Sequence, residues 1–147
     1  MFYCIIAMKK ILFLTFAAMV TTLGCGGGIQ TDNKDNLSAG SIQTVGVKDF
    51  AKAIADTAHV RIIDVRTAKE FSEGHIANAV NIDVNQSDFE QRTAYLVGLD
   101  DTQLAVYCRG GRRSLKAAES LSRRGARVIN LDGGIMAWQQ SGKPIVK

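Results

Sequence analysis

The feature that most constrains this chain is a set of short apolar runs, each followed by a stretch of helical pattern. Residues 60–65 (VRIIDV) form a β-branched run of buried-strand length, residues 104–108 (LAVYC) are almost continuously apolar, and residues 128–131 (VINL) make a third run. Helix-compatible segments follow them at 68–73, at 114–124, which opens on the capping-type Ser114 and stops at Gly125, and at 135–140. Residues 42–45 alternate as an edge strand does, and residues 47–58 place Phe50, Ala53 and Ile54 at helical spacing. Residues 79–82 read as a further strand and 88–96 as a helix. Strands that alternate with helices imply a mostly parallel sheet covered on both faces. The expected fold is α/β, in three layers, with a mostly parallel five-stranded sheet between helices.

The size agrees with one such domain. The chain has 147 residues, of which 46% are apolar and 22% charged, enough for a packed core and unlike a disordered chain. A single Pro excludes collagen-like and Pro-rich architectures. Three cysteines in this length exclude a disulfide-stapled miniprotein. They are Cys4, Cys25 and Cys108, and three different fates are expected for them.

The N-terminus reads as an address. Lys9 and Lys10 precede the apolar run 11–20, and small residues lead to Gly24 and Cys25. These are the parts of a secretory signal, and the run is shorter than the roughly 20 residues a spanning helix needs. A buried core helix is the alternative, weakened by the Gly26-Gly27-Gly28 hinge behind it. Met8 is a better start than Met1, in which case residues 1–7, with Cys4, belong to a mis-assigned start. Removal of residues 1–24 takes Lys9 and Lys10 with it and leaves 16 basic residues against 14 acidic, too even a balance for general nucleic-acid binding. Residues 25–41 are rich in small and polar residues and read as a flexible tether with a reach on the order of 20 Å. The domain proper is expected at 42–147.

The chemistry is expected in the loop Cys108-Arg109-Gly110-Gly111-Arg112-Arg113-Ser114. Cys108 stands at the C-terminal end of a buried strand, the edge where open α/β sheets bind ligands. Gly110 and Gly111 permit backbone conformations closed to other residues and a close approach of N–H groups. The following helix N-terminus and three arginines favour a thiolate over a thiol, and hence a nucleophile. Residues 108–127 hold seven basic side chains (Arg109, Arg112, Arg113, Lys116, Arg123, Arg124, Arg127) and one acid, Glu119. An inert buried Cys is the plain alternative, but it gives no reason for a glycine pair flanked by arginines. His59 and His75 lack metal-ligand spacing with Cys108, so neither a metal nor another cofactor is expected.

Four segments carry a family resemblance: Ile62-Ile63-Asp64-Val65-Arg66, Glu70-Phe71-Ser72-Glu73-Gly74-His75-Ile76, the loop Val106 to Ser114, and Gly133-Gly134-Ile135-Met136-Ala137-Trp138. With these motifs in order, the chain resembles a single-domain rhodanese, a sulfurtransferase, over nearly all of residues 41–147. It departs from the family pattern at Ala77-Asn78, where Pro-Gly is usual. The resemblance implies ping-pong sulfur transfer. Cys108 takes the outer sulfur of a small anionic donor such as thiosulfate, and the persulfide passes it to cyanide or a thiol. Arg109, Gly110, Gly111, Arg112, Arg113 and Ser114 are the implied binding set. Arg109 and Arg113 come first for attracting the donor, and N–H groups from 109 to 113 are expected to face the outer sulfur.

The related phosphatases have five residues between Cys and Arg, where this loop has four, a tighter cradle suited to one sulfur atom. Phosphate or arsenate chemistry is therefore the lesser alternative, and a sulfur-carrier module is another. Asp64 and Arg66 are expected to form an internal salt bridge or to support the site, with Glu70, His75 and Trp138 architectural. The segment Thr22-Leu23-Gly24-Cys25 resembles a bacterial lipobox, with Thr22 where Leu is preferred. That resemblance implies a lipid on Cys25 and a membrane-anchored protein facing the periplasm, whereas ordinary cleavage would leave a free thiol. No apolar segment demands a partner, so a monomer is expected.

Overall fold

The computed structural model describes residues 40–99 and 101–147. The expected signal peptide, Cys4, Cys25 and all but the last two residues of the expected tether lie outside them. The described chain runs β1 (Ile42–Val45), α1 (Val47–Ala53), β2 (Val60–Asp64), α2 (Ala68–Glu73), β3 (Val80–Asn81), α3 (Phe89–Val97), β4 (Gln103–Tyr107), α4 (Arg112–Arg123), β5 (Arg127–Leu131), α5 (Gly134–Gln140). The five strands form one sheet in the order β1-β5-β4-β2-β3. Every pairing is parallel, so the expectation of a mostly parallel sheet is met in full. Among the described residues no helix is long and apolar enough to cross a membrane.

Period-two alternation in the central strands divides the core. Leu104 and Val106 of β4 join Ile63, Val128, and the α3 and α4 side chains Phe89, Leu96, Ala117 and Leu121 on one face. Ala105 and Tyr107 join Ile62, Ile129, Leu131, and Phe50, Ile135 and Trp138 of α1 and α5 on the other. Phe50 meets Trp138 edge-on, ring centroids 6.2 Å apart, and the indole N–H donates to the Pro144 carbonyl at 2.9 Å. Trp138 is thus a core residue.

Several boundaries differ from expectation for local reasons. Helix α1 stops at Ala53, because the Asp56 carboxylate accepts from the N–H groups of Ala58 and His59 and turns the chain. Helix α4 starts at Arg112, two residues before Ser114, because Gly111 takes a left-handed φ of 95° and starts the helix directly from the loop. Ser114 is therefore no cap residue; its hydroxyl oxygen stands 3.0 Å from the Gly111 carbonyl, and its single proton can be given either there or to the Cys108 sulfur. Asn78 adopts φ 64°, a conformation that Asn tolerates better than most residues. Gly40 and Ser41 are held by the domain: the Gly40 N–H donates to Gly125 O at 3.0 Å and Ser41 O accepts from the Val128 N–H at 2.9 Å.

A buried polar knot joins the ends of β2 and β4. The register sets Asp64 beside Tyr107. Asp64 is fully buried and takes both Nε and Nη2 of Arg66, which also donates to the Gly74 carbonyl at 2.7 Å. The guanidinium lies 5.7 Å from the Tyr107 ring centroid. Burial, then the Asp64 charge beside it, holds the Tyr107 hydroxyl neutral far above its ordinary range. That hydroxyl accepts from the Ile76 N–H at 3.0 Å. The knot ties the turn at 74–76 to the strand that delivers Cys108. Arg66→Met leaves a buried carboxylate unpaired, so it is expected to cost about 3–5 kcal/mol in a urea unfolding experiment; a loss under about 1 kcal/mol contradicts this account.

Candidate active site

Strand β4 ends at Tyr107, and Cys108 opens the loop into α4. Its side chain is 1% exposed. A sulfur so enclosed is ordinarily inert, because burial penalises the thiolate. Here burial does push the thiol up, but hydrogen bonds from the Ser114 hydroxyl and the N–H groups of Ser114, Gly110 and Gly111 outweigh it. The net shift is downward from the ordinary cysteine value. The Gly111 N–H stands 3.2 Å from Sγ. The donors are thus a subset of the 109–113 N–H groups expected from the sequence, with Ser114 added.

The opposite side of the loop explains how one of these donors, the Gly110 N–H, is aimed. Ile135 N–H donates to the Cys108 carbonyl at 2.8 Å, and Met136 N–H to the Arg109 carbonyl at 3.1 Å. In a trans peptide the C=O and the next N–H point in opposite directions, and no peptide here is cis. Fixing the Arg109 carbonyl on α5 therefore turns the Gly110 N–H away from α5. The contact demands glycine at 134. A Cβ there would lie 2.4 Å from the Cys108 carbonyl oxygen and 2.6 Å from that of Arg109, at a φ of 59°. The Gly133-Gly134 pair is in this way part of the active-site loop's support.

The two loop glycines differ. Gly111 has φ 95°, whereas Gly110 has no left-handed φ and open space around a would-be Cβ. The expectation that both supply otherwise closed conformations is corrected for Gly110.

Cys108 opens on a cleft of about 500 Å³ lined also by Arg109, Gly110, Arg112, Arg113, Lys116 and Met136. Gly111 and Ser114 stand behind the sulfur, and Asp64 and Arg66 belong to the buried knot, outside this lining. Arg112 and Arg113 occupy the first turn of α4 with no acidic residue among them, the reverse of the arrangement a helix N-terminus favours. The cost of that arrangement falls when an anion is present. Glu70 supplies one fixed anion. Its carboxylate accepts from both Nη atoms of Arg113 at 2.7 and 2.8 Å and closes a capping box with Thr67. The Arg113 hydrogen bonds hold the Glu70 carboxyl down to about 2. Arg113 also lines the cleft beside Cys108. It is thus a braced, largely neutralised cation, and among the described residues the unpaired charge at the cleft belongs to Arg109, Arg112 and Lys116. The Glu70–Arg113 pair joins residues 43 positions apart, and only the dense positive charge after Cys108 hinted at Lys116.

His75 is remote from this chemistry. It stacks on Phe71, ring centroids 3.7 Å apart, and its backbone pairs with Val146. Among the described residues no three His, Cys, Asp or Glu side chains gather in a way that could hold a metal. A second cavity, about 480 Å³, lies by Val80, Tyr95 and Leu99; it contains no thiol, and Arg61 is its one charged residue.

Residues 47–141 match the model of the Rhodanese-like domain. The chain belongs to that family. A sulfurtransferase of Allochromatium vinosum is 32% identical over 111 residues, covering 71% of this chain and 95% of the relative. Thiosulfate sulfurtransferase 18 of Arabidopsis thaliana is 37% identical, covering 65% of this chain and 77% of its own length. The crystal structure of a rhodanese-related protein from Thermoplasma volcanium superposes with a TM-score of 0.59 at 32% identity, covering 71% of this chain and 97% of that one. These relatives place this rhodanese-like protein in a family of sulfurtransferases. Its backbone supports make a specific demand: Gly134→Ala is expected to lose about 1–3 kcal/mol of stability, and Gly110→Ala to stay within about 0.5 kcal/mol. Urea midpoints of the two variants check this, and equal midpoints contradict it.

Proposed function

We propose that Cys108 carries sulfane sulfur from thiosulfate, or a similar small anionic donor, to a thiophilic acceptor. The Cys108 thiolate attacks the donor's outer sulfur. A bond forms from Sγ to that atom as the donor's own S–S bond breaks, and the electron pair leaves with sulfite. The product is a persulfide with its negative charge on the outer sulfur. An acceptor, a thiolate or cyanide, attacks that sulfur and returns Cys108 as thiolate. Charge and electrons balance in each half without an outside oxidant.

The observation that carries this reading is the donor set on a buried sulfur, with the Gly111 N–H at 3.2 Å, at the floor of a cationic cleft. The same dipoles that stabilise a thiolate stabilise a persulfide, as they would an oxyanion. The short loop favours sulfur over phosphate. Intact-mass spectrometry of the full-length chain after thiosulfate is expected to show a gain of one sulfur atom. Cyanide removes it and Cys108→Ser abolishes it. No gain on reduced protein, together with aryl-phosphate hydrolysis, contradicts the reading in favour of the phosphatase alternative. Loading without turnover to cyanide or small thiols marks a carrier.

The sequence supports a place for this activity. We propose that Cys25 bears the lipid and anchors the domain to a membrane on its periplasmic side, with residues 26–39 as the tether, since Gly40 and Ser41 are held by the domain. The anchor is expected to hold the protein in the membrane fraction and to be lost in Cys25→Ser; an unchanged distribution contradicts it.

A further inference from the structure

The cleft is more cationic than the donor reaction alone requires. Arg113 is matched by Glu70, but among the described residues Arg109, Arg112 and Lys116 have no ion-pair partner. Lys116 follows Arg112 by one turn of α4, and the two are neighbours on one helix face. Lys116 and Met136 are exposed and line the cleft with Cys108. Once the outer sulfur is bound, the site carries one negative charge and must receive a second anion, the attacking thiolate. Two unit charges at 4 Å in water repel by about 1 kcal/mol. The free cations offset that repulsion and leave positive charge for further anionic groups on the acceptor. Met136 offers an apolar contact for a short aliphatic stem, suited to a flexible thioether.

We infer that Lys116 is a specificity-determining residue for the acceptor half of the reaction, selecting small thiols that carry carboxylates over neutral or cationic thiols. The inference rests on the sulfur-transfer reading above. In the step it governs, the acceptor thiolate forms a bond to the outer sulfur while the bond from that sulfur to Sγ breaks. The acceptor leaves as its own persulfide anion and Cys108 as thiolate.

The test uses the full-length chain loaded with thiosulfate, with loading verified by intact mass. The rate of sulfur removal is then measured with mercaptosuccinate, 2-mercaptoethanol and cysteamine. Intrinsic reactivity of the thiols cancels when each variant's rate ratios are compared with those of the unsubstituted protein. The ratio of kcat/KM for mercaptosuccinate over 2-mercaptoethanol is expected to fall about two- to fivefold in Lys116→Ala, and further in Lys116→Glu. Lys116→Arg restores it, and high salt compresses the differences among all variants. In Lys116→Glu the cysteamine ratio moves the opposite way. Because Lys116 is exposed, these variants are expected to fold. Normal loading with unchanged ratios in Lys116→Glu overturns this inference alone. Absence of loading in the unsubstituted protein overturns the sulfur-transfer reading, and this inference with it.

Discussion

Everything at this site depends on how a few peptide planes are turned. A buried sulfur becomes a thiolate only if N–H groups face it, and an N–H can face it only if the carbonyl across the same peptide is satisfied elsewhere. Helix α5 supplies that second condition for the Gly110 N–H by donating Met136 N–H to the Arg109 carbonyl, and it holds the start of the loop by donating Ile135 N–H to the Cys108 carbonyl. Gly134 lets the helix come close enough to do so. The Cys108 loop is thus one half of a joint whose other half lies more than twenty residues further along the chain. The parallel sheet brings the two halves together, since β4 and β5 are neighbours whose C-terminal ends lead into the loop and into α5.

Charge is layered around this joint. The innermost cation, Arg113, is braced by Glu70, whose position is fixed by its own capping box with Thr67. The outer cations, Arg109, Arg112 and Lys116, have no ion-pair partner among the described residues. A fixed inner pair gives shape to the site, and the outer ring leaves positive charge over the cleft, which suits the anionic donor and acceptor proposed above. The Asp64–Arg66–Tyr107 knot lies outside the cleft lining. It holds the strand ends in register, and its buried ion pair is sensitive to loss of either partner.

Much of this was legible in the sequence because it is local. Strand and helix order follow from apolar periodicity, and the reactive loop follows from Cys108, its glycines and its arginines. What the sequence hid is non-local or conformational. The strand order depends on long-range pairing. Glu70 and Arg113 are far apart in the chain. Ser114 looked like a helix cap because nothing local revealed that Gly111 would turn left-handed and start α4 two residues early. Gly110 and Gly111 are the same residue type, yet only the second needs to be glycine for its φ. Gly134 came to notice as part of a motif, but its reason, two carbonyl oxygens of another segment, is visible only in three dimensions.

The central claim is that backbone and Ser114 donors overcome the burial of Cys108. Its most direct test is an ultraviolet thiolate titration of the full-length chain, taken as the difference from Cys108→Ser so that other cysteines cancel. A group with a depressed pKa is ionised at lower pH, so the inflection is predicted below the ordinary cysteine value of about 8.5. In Ser114→Ala it moves upward. An inflection at or above the ordinary value, unmoved by Ser114→Ala, would mean that burial wins and that Cys108 is not the nucleophile this account requires.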